Sequence, residues 1–484
     1  MSLPRVDWLA IAPELVLALG AALVLLVEVQ FRPRARSLGR ISAGVIALAF
    51  LLSLGQRAWL QGLDRTTLTE GDLLPFGGMI AIDGMAVAGR LVMLTVTTLG
   101  LAGAWKTIEA LGRRAAEAIA LVMLATVGFS LMAATPHLVM MFLSLEIGSI
   151  SLYVLAGITR ERAESDEAAL KYFLMGSFAS AIFVYGVALL FAGTGALNLI
   201  DQDLVLSGVL ITRPAVLLVG LGAVVVGMGF KVSAAPFHAW APDVYQGAPA
   251  GLVGFMAAAA KVGGFGALTR ILTEGFTEMA ASWGVVVAGL AAVSMVVGAG
   301  LAIVQEDVRR LLAYSGVAHA GFILTGLVAG RPGAPGVFFY LTVYTVQLVG
   351  AFALVAAVAP RSDLIAFAGL GRRQPLSALA LTILLLGMAG IPVTAGFVAK
   401  FGVFQEAWRA GFEWLVLVAV LASVVAVFLY LRVIVTMYMS EGEAVAPMPG
   451  SLTRWVAGLA VAATIVLGVF PAPLLDLAAD ALPV

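Results

Sequence analysis

Residues 249–273 read PAGLVGFMAAAAKVGGFGALTRILT, an apolar run interrupted near its middle by one lysine, Lys261, and closed by Arg270. About twenty apolar residues suffice to cross a bilayer as a helix, so the stretch is long enough to span. A lysine at the centre of such a helix costs about 2.5–3.5 kcal/mol on insertion scales. The same criterion places spans near 8–29, 38–56, 85–105, 117–135, 137–158, 169–195 and 214–240, then 249–273, 282–305, 311–330, 335–359, 376–405, 411–437 and 454–476. The connections between them are mostly short. The chain therefore reads as an all-α polytopic membrane protein of about fourteen transmembrane helices, with 1–484 a single membrane domain.

Composition agrees and excludes several classes of function. Hydrophobic residues make up 62% of the chain and charged residues 12%, against roughly a half and a quarter in soluble domains. Mean hydropathy is +1.06. A formal net charge of +0 gives no reason to expect a nucleic-acid partner. With no cysteine, the chain has no means of disulfide formation, thiolate metal binding, iron–sulfur ligation or cysteine nucleophilic chemistry. His137, His238 and His319 are too far apart for a local metal motif, and neither G-x-G-x-x-G nor a Walker A pattern occurs. We expect no metal and no cofactor in this chain. The first apolar stretch, 8–29, is too long for the core of a signal peptide and reads as a retained helix.

Lys and Arg concentrate on the cytoplasmic side of membrane proteins. Fifteen of the 28 fall in odd-numbered connections, including Arg32, Arg34, Arg36, Arg40, Arg160, Arg309 and Arg310. Six fall in even-numbered ones: Arg57, Arg65, Arg213, Arg270, Arg331 and Arg409. With Arg5 ahead of the first span, this predicts both termini on the periplasmic side of a bacterial plasma (inner) membrane. Arg90, Lys171, Lys231, Lys261, Lys400 and Arg432 remain, within or at the ends of spans.

Intramembrane ionisable groups are functional candidates by default. Glu146, Lys231, Lys261 and Lys400 together forgo on the order of 10 kcal/mol of insertion energy, so partners or water must compensate. Burial favours the neutral amine and a nearby carboxylate favours the ammonium; shifting or neutralising Glu146 would then switch a lysine between holding and releasing a proton. The competing reading is a set of structural ion pairs gluing helices together. Three lysines against one glutamate leave charge over, which an inert bundle should not carry. Lys171 and Arg432 could instead snorkel to an interface. Arg90 and Asp83 are equally open to either reading. His319 is a possible relay or a cross-helix hydrogen-bonding group, and His238, at a helix end, reads as structural.

Pro236 follows Lys231 and Pro392 precedes Lys400, so both helices should be broken there. Broken helices at corresponding places in two halves mark inverted-repeat transporters. Spans four to eight (117–273) and nine to thirteen (282–437) would form two inverted five-helix repeats, because an odd number of spans reverses the second unit. Three N-terminal helices (1–116) and a C-terminal helix (454–476) flank them. Gly229-Phe230 before Lys231 and Gly396-Phe397 before Lys400 form a weak echo of this relation.

Several segments resemble the N subunit (subunit 2 type) of respiratory complex I, NADH-quinone oxidoreductase. PFHAWAPDVYQGAP, 236–249, is similar to its signature, with Asp243-Val244-Tyr245 separating it from M and L subunits and cation/proton antiporters. FLSLEIGSISLYVLAG, 142–157, resembles the helix carrying an essential glutamate, here Glu146; EAALKYFLMGSFAS, 167–180, places the next helix's lysine at Lys171. YSGVAHAGF around His319 and AGFVAKF around Lys400 extend the likeness across 117–437. Val393 and Ala399 depart from the family's second proline and its glycine before the lysine. The resemblance implies a proton path through Lys231, Lys261 and Lys400, with Glu146 essential and Lys171 and His319 as possible relays. It implies NADH, flavin, iron–sulfur clusters and quinone in partner subunits, and M-type and small K/J-type membrane subunits as neighbours in the bilayer. The alternatives are a free-standing cation/proton antiporter and an assembly scaffold.

Overall fold

A computed structural model describes residues 7–62, 73–159, 162–208, 214–358, 361–442 and 448–480. Arg5, Arg65, Arg160 and Arg213, which entered the charge count, lie outside these residues, as do both chain ends. Among the described residues, sixteen helices, with shorter ones between them, carry the architecture: α1 Ala12–Phe31, α2 Ala35–Gly62, α3 Gly84–Gly103, α4 Ala115–Ala134, α5 Leu138–Ala156, α6 Ala163–Thr194, α7 Pro214–Lys231, α8 Trp240–Gly247, α9 Ala250–Arg270, α10 Ala280–Ile303, α11 Val308–Leu327, α12 Ala334–Val358, α13 Pro375–Ala389, α14 Ala395–Arg409, α15 Glu413–Met439 and α16 Ser451–Val469.

Among the described residues, twelve helices are long and apolar enough to cross a membrane. Two of the fourteen expected spans are missing from that set for physical reasons. In α11, Arg309, Arg310 and His319 dilute the apolar character. The twelfth expected span, 376–405, is divided between α13 and α14, with the break at 390–394 containing Pro392. The seventh, 214–240, likewise stops at Lys231 and resumes only as the short α8, with Pro236 in the gap. Proline lacks an N–H and crowds the preceding turn, so the helices end where the prolines predicted. The last span is shorter than expected, ending at Val469 before a separate short helix, Ala472–Ala479.

The helix that carries Lys261, α9, lies at the centre. Every residue of α9 from Gly251 to Arg270 is buried, packed against α3, α4, α7 and α12. Hydrophobic residues all round, rather than a single stripe, suit a helix that meets protein on every side. α1 and α2 lie outside α3 and α4, and α16 lies against α12.

One close packing motif recurs at a fixed sequence separation. In the α4–α5 pair, a Cβ on Gly128 would stand 2.4 Å from the Gly148 nitrogen and 2.6 Å from the Ser144 carbonyl oxygen. In the α10–α11 pair, a Cβ on Gly298 would stand 2.4 Å from the Ala318 nitrogen and 2.8 Å from the Tyr314 carbonyl oxygen. All three positions move by 170 residues. His137 and Asp307, also 170 apart, each cap the second helix of their pair and each sit in an isolated antiparallel bridge, to Asn198 and to Asp363. Glycine at such contacts lets two backbones touch, the usual device of tightly packed membrane helices.

Odd-numbered connections meet one another and even-numbered ones do likewise. At one end Lys106 donates to the Met448 carbonyl (2.8 Å) and the Val308 amide to the Ser362 carbonyl (2.7 Å). At the other, Leu138 donates to Leu197 (2.9 Å) and the Asn198 side chain to Gly78 (2.8 Å). Successive spans therefore alternate in direction.

Candidate functional site

Past Lys231 the chain turns through Ser233 at φ 60, and the Ala234 amide closes on the Gly229 carbonyl (2.8 Å). The Val232 carbonyl is left free of the helix and takes the Lys261 ammonium at 2.7 Å. Lys231 itself donates to Ser149 Oγ on α5 (2.7 Å). Its Nζ lies 5.1 Å from the Phe129 ring centroid and 5.8 Å from those of Tyr153 and Tyr172, faces that attract a cation electrostatically. Glu146 stands one turn before Ser149, half-buried, and accepts from Ser180 Oγ (2.5 Å). It is within electrostatic range of Lys231, although no direct ion pair closes between them. A hydroxyl and three ring faces hold this lysine, with the carboxylate at one remove.

Among the described residues, the other two lysines have no carboxylate partner either. Lys261, 1% exposed, also donates to the Gly316 carbonyl on α11 (2.9 Å). Lys400 donates to the Ala389 carbonyl (2.8 Å) and to Ser423 Oγ on α15 (3.3 Å), with Nζ 4.4 Å from the Phe322 ring centroid. Ala389 is the last residue of α13, before Gly390 at φ 84. Val232 and Ala389 thus present carbonyls from the C-terminal ends of interrupted helices. Those ends carry partial negative charge, which suits an ammonium and needs no formal anion.

α11 joins the two regions. Gly316, His319 and Phe322 follow one another at three-residue spacing on the same face. Gly316 receives Lys261, Phe322 lies beneath Lys400, and His319 stands between, within electrostatic range of both lysines. His319 Nδ1 meets the Tyr340 hydroxyl (2.9 Å), Nε2 meets the Tyr430 hydroxyl (3.2 Å), and the ring stacks on Tyr344 at 4.2 Å. The Tyr430 hydroxyl also bonds Ser315 Oγ. A buried file of ionisable and hydrogen-bonding groups runs from Lys231 through Lys261 and His319 to Lys400.

Residues 135–426 match the family model described as NADH:quinone oxidoreductase/Mrp antiporter, TM. NADH-quinone oxidoreductase subunit N of Chloroflexus aggregans is 39% identical, covering 99% of this chain and 97% of its own length. A chain of Thermus thermophilus respiratory complex I, solved with bound aureothin, superposes with TM-score 0.80 at 34% identity, covering 97% of this chain and 99% of that one. The Mrp complex of Dietzia supplies a chain at TM-score 0.83 but 21% identity, covering 98% and 97%; that likeness concerns the fold alone. The chain belongs to the NADH-quinone oxidoreductase subunit N family.

In this subunit N-type chain the remaining candidates fall outside the file. Lys171 pairs with Glu167 (2.7 Å) and Asp243 (2.8 Å), and Asp243 also takes Arg310 (2.7 Å). Burial would raise the Asp243 carboxyl, but hydrogen bonds and charge from Lys171 and Arg310 outweigh it and hold the group below its usual range. Arg432 donates to the Ile303 carbonyl. Arg90 is buried against Glu14 (2.6 Å), Gln56 (3.1 Å) and the Ala10 carbonyl (2.8 Å), a structural tie between α3 and the N-terminal helices.

Arg270 corrects the sequence reading, which placed it in a surface connection. It continues α9, is 1% exposed, and holds both Asp83 oxygens (2.9 Å each) and Glu274 (2.7 Å). Its positive charge is absorbed by these carboxylates and gives no information about which side the loop faces. Sequence reasoning also missed Ser149, although its i+3 spacing from Glu146 puts it on the same helix face. The carbonyls of Val232 and Ala389 were signalled only indirectly, by Pro236 and Pro392. Nothing in the local sequence singled out Tyr430 or Gly316.

Proposed function

We propose that the chain is the proton-translocating membrane subunit of an NADH-quinone oxidoreductase, passing protons along Lys231, Lys261, His319 and Lys400 with Glu146 as the charge that governs Lys231. The observation that carries this reading is the enclosure of three lysines held by carbonyls, hydroxyls and ring faces instead of carboxylates. Structural ion pairs would be matched; these are not, so each can exist with or without its proton without breaking a salt bridge. Ser149, the Val232 carbonyl and the Gly316 carbonyl link neighbouring groups in the file.

The chain acts as a non-redox subunit. Moving one charge against the membrane potential takes about 2.3 kcal/mol per 100 mV, and that energy enters through partner subunits carrying NADH, flavin, iron–sulfur clusters and quinone. M-type and small K/J-type membrane subunits are the expected neighbours, and Lys171, in its ion cluster with Glu167, Asp243 and Arg310, is a further relay beside the file. The 170-residue recurrence, on connections at opposite ends, supports 117–273 and 282–437 as inverted repeats. The basic residues of the odd connections support a periplasmic side for both termini.

The test is proton pumping by the reconstituted complex carrying Lys261→Ala or Glu146→Ala. Pumping should fall while the complex remains assembled; assembled complexes that pump undiminished would overturn the reading. The free-standing antiporter reading shares its fold with the Mrp chain and predicts cation/proton exchange by the isolated protein in vesicles, which the leading reading does not.

A further inference from the structure

Outside the charged file, α2 and α3 leave a lateral groove of about 1220 Å³, bounded at one end by Trp105, Lys106 and residues 450–453. Gly39 admits Trp105 against α2, where a Cβ would stand 2.4 Å from the indole. Ile46, Phe50 and Leu54 line one wall, and Thr95, Thr98 and Leu99 the other. Both threonine hydroxyls are already engaged, donating to the Leu91 and Leu94 carbonyls (2.8 Å each), and Ser42 donates to Gly39 (3.0 Å). The interior therefore presents apolar surface, fit for an alkyl chain and unfit for a small polar molecule.

The mouth has the opposite character. Arg36, Arg40 and Lys106 gather there with Glu109, and an adjoining cavity of about 760 Å³ adds Arg32, Arg34 and Arg113 against Glu28. Arg36 is paired with Glu109 (3.2 Å) and Lys106 with the Met448 carbonyl (2.8 Å). Arg40 is exposed and has no hydrogen bond or ion pair among the described residues. From Arg40 to Leu54 the helix rises about 21 Å at 1.5 Å per residue. Half of a bilayer, headgroup region included, is about 20–22 Å thick.

We infer that this groove binds an anionic phospholipid, its phosphate at Arg40 under the surrounding basic residues and an acyl chain between α2 and α3. The inference stands apart from the proton path and uses none of its residues. Charge at the mouth, apolar walls and a length of one leaflet select this occupant over a neighbouring protein helix, which would gain nothing from an excess of cations at one end.

The test uses the purified, intact complex and a photoreactive phosphatidylglycerol. Labelling should fall on the peptide covering 39–54, and unlabelled phosphatidylglycerol should compete while phosphatidylcholine does not. Arg40→Gln should lower labelling about fivefold, the weight of one basic contact to an anionic leaflet. Ala47→Trp should abolish it by filling the groove, with proton pumping kept in both variants. Equal competition by phosphatidylcholine, labelling unchanged in both variants, or a Leu51→Cys cross-link to a neighbouring subunit's helix would each overturn it.

Discussion

Lys261 donates to the carbonyl oxygen of Val232 at 2.7 Å, the residue directly after Lys231, so the backbone at the break beyond α7 brings the two lysines together. The second contact of Lys261, to Gly316, opens the way along α11 to His319. By the 170-residue relation Gly316 occupies in the second half the place that Glu146 holds in the first, and His319 the place of Ser149. One half sets a carboxylate within electrostatic range of its lysine; the other offers a backbone carbonyl and an imidazole. The two halves share packing but differ in chemistry.

If the file passes through His319, His319→Phe should interrupt it while keeping the stack on Tyr344. The expected result is assembled complex with proton pumping slowed at least about tenfold, the effect of raising a barrier by only about 1.4 kcal/mol. Unchanged pumping rates in reconstituted vesicles would remove His319 from the path.

The Arg90–Glu14 pair is buried on both sides, with side chains 1% and 3% exposed. Arg90→Met alone should destabilise by about 3–5 kcal/mol, because it leaves a buried carboxylate unpaired. Glu14→Leu combined with Arg90→Met should recover most of that. Thermal melting of the solubilised complex checks both, and a double variant no better than the single one would contradict a structural role.

Gly128→Ala and Gly298→Ala should be alike in effect. Each places a methyl 2.4 Å from a backbone nitrogen of the facing helix, so the helices must separate, at a cost of about 1–3 kcal/mol. Matching drops in melting temperature would support equivalent packing in the two halves; tolerance at one position alone would count against it.

Because Lys171 and Arg310 hold the Asp243 carboxyl below its usual range, its contribution is complete above the unfolded value, about 3.9, and is lost as pH falls through the lower folded value. Hydrogen exchange at the amides of Trp240–Gly247, with chemical exchange corrected for pH, should show constant protection from pH 8 to 5. Asp243→Asn should lose protection already at neutral pH. Protection in the unsubstituted chain that declined between pH 7 and 6 would contradict the cluster as described.

Sequence alone determined the elements and the locations of their breaks. Apolar run length marks a spanning helix because the backbone must satisfy its own hydrogen bonds in lipid, and Pro236 and Pro392 interrupt two of those helices whatever surrounds them. It also identified Glu146, Lys231, Lys261 and Lys400, since the cost of a charge inside an apolar run is a local property. What receives each charge was decided only by the tertiary structure. Lys261 finds its two carbonyls 29 and 55 residues away, and Arg270 reaches Asp83 across 187. The cost of burying a charge is written into its own helix, whereas the groups that compensate it are brought near only when distant helices pack.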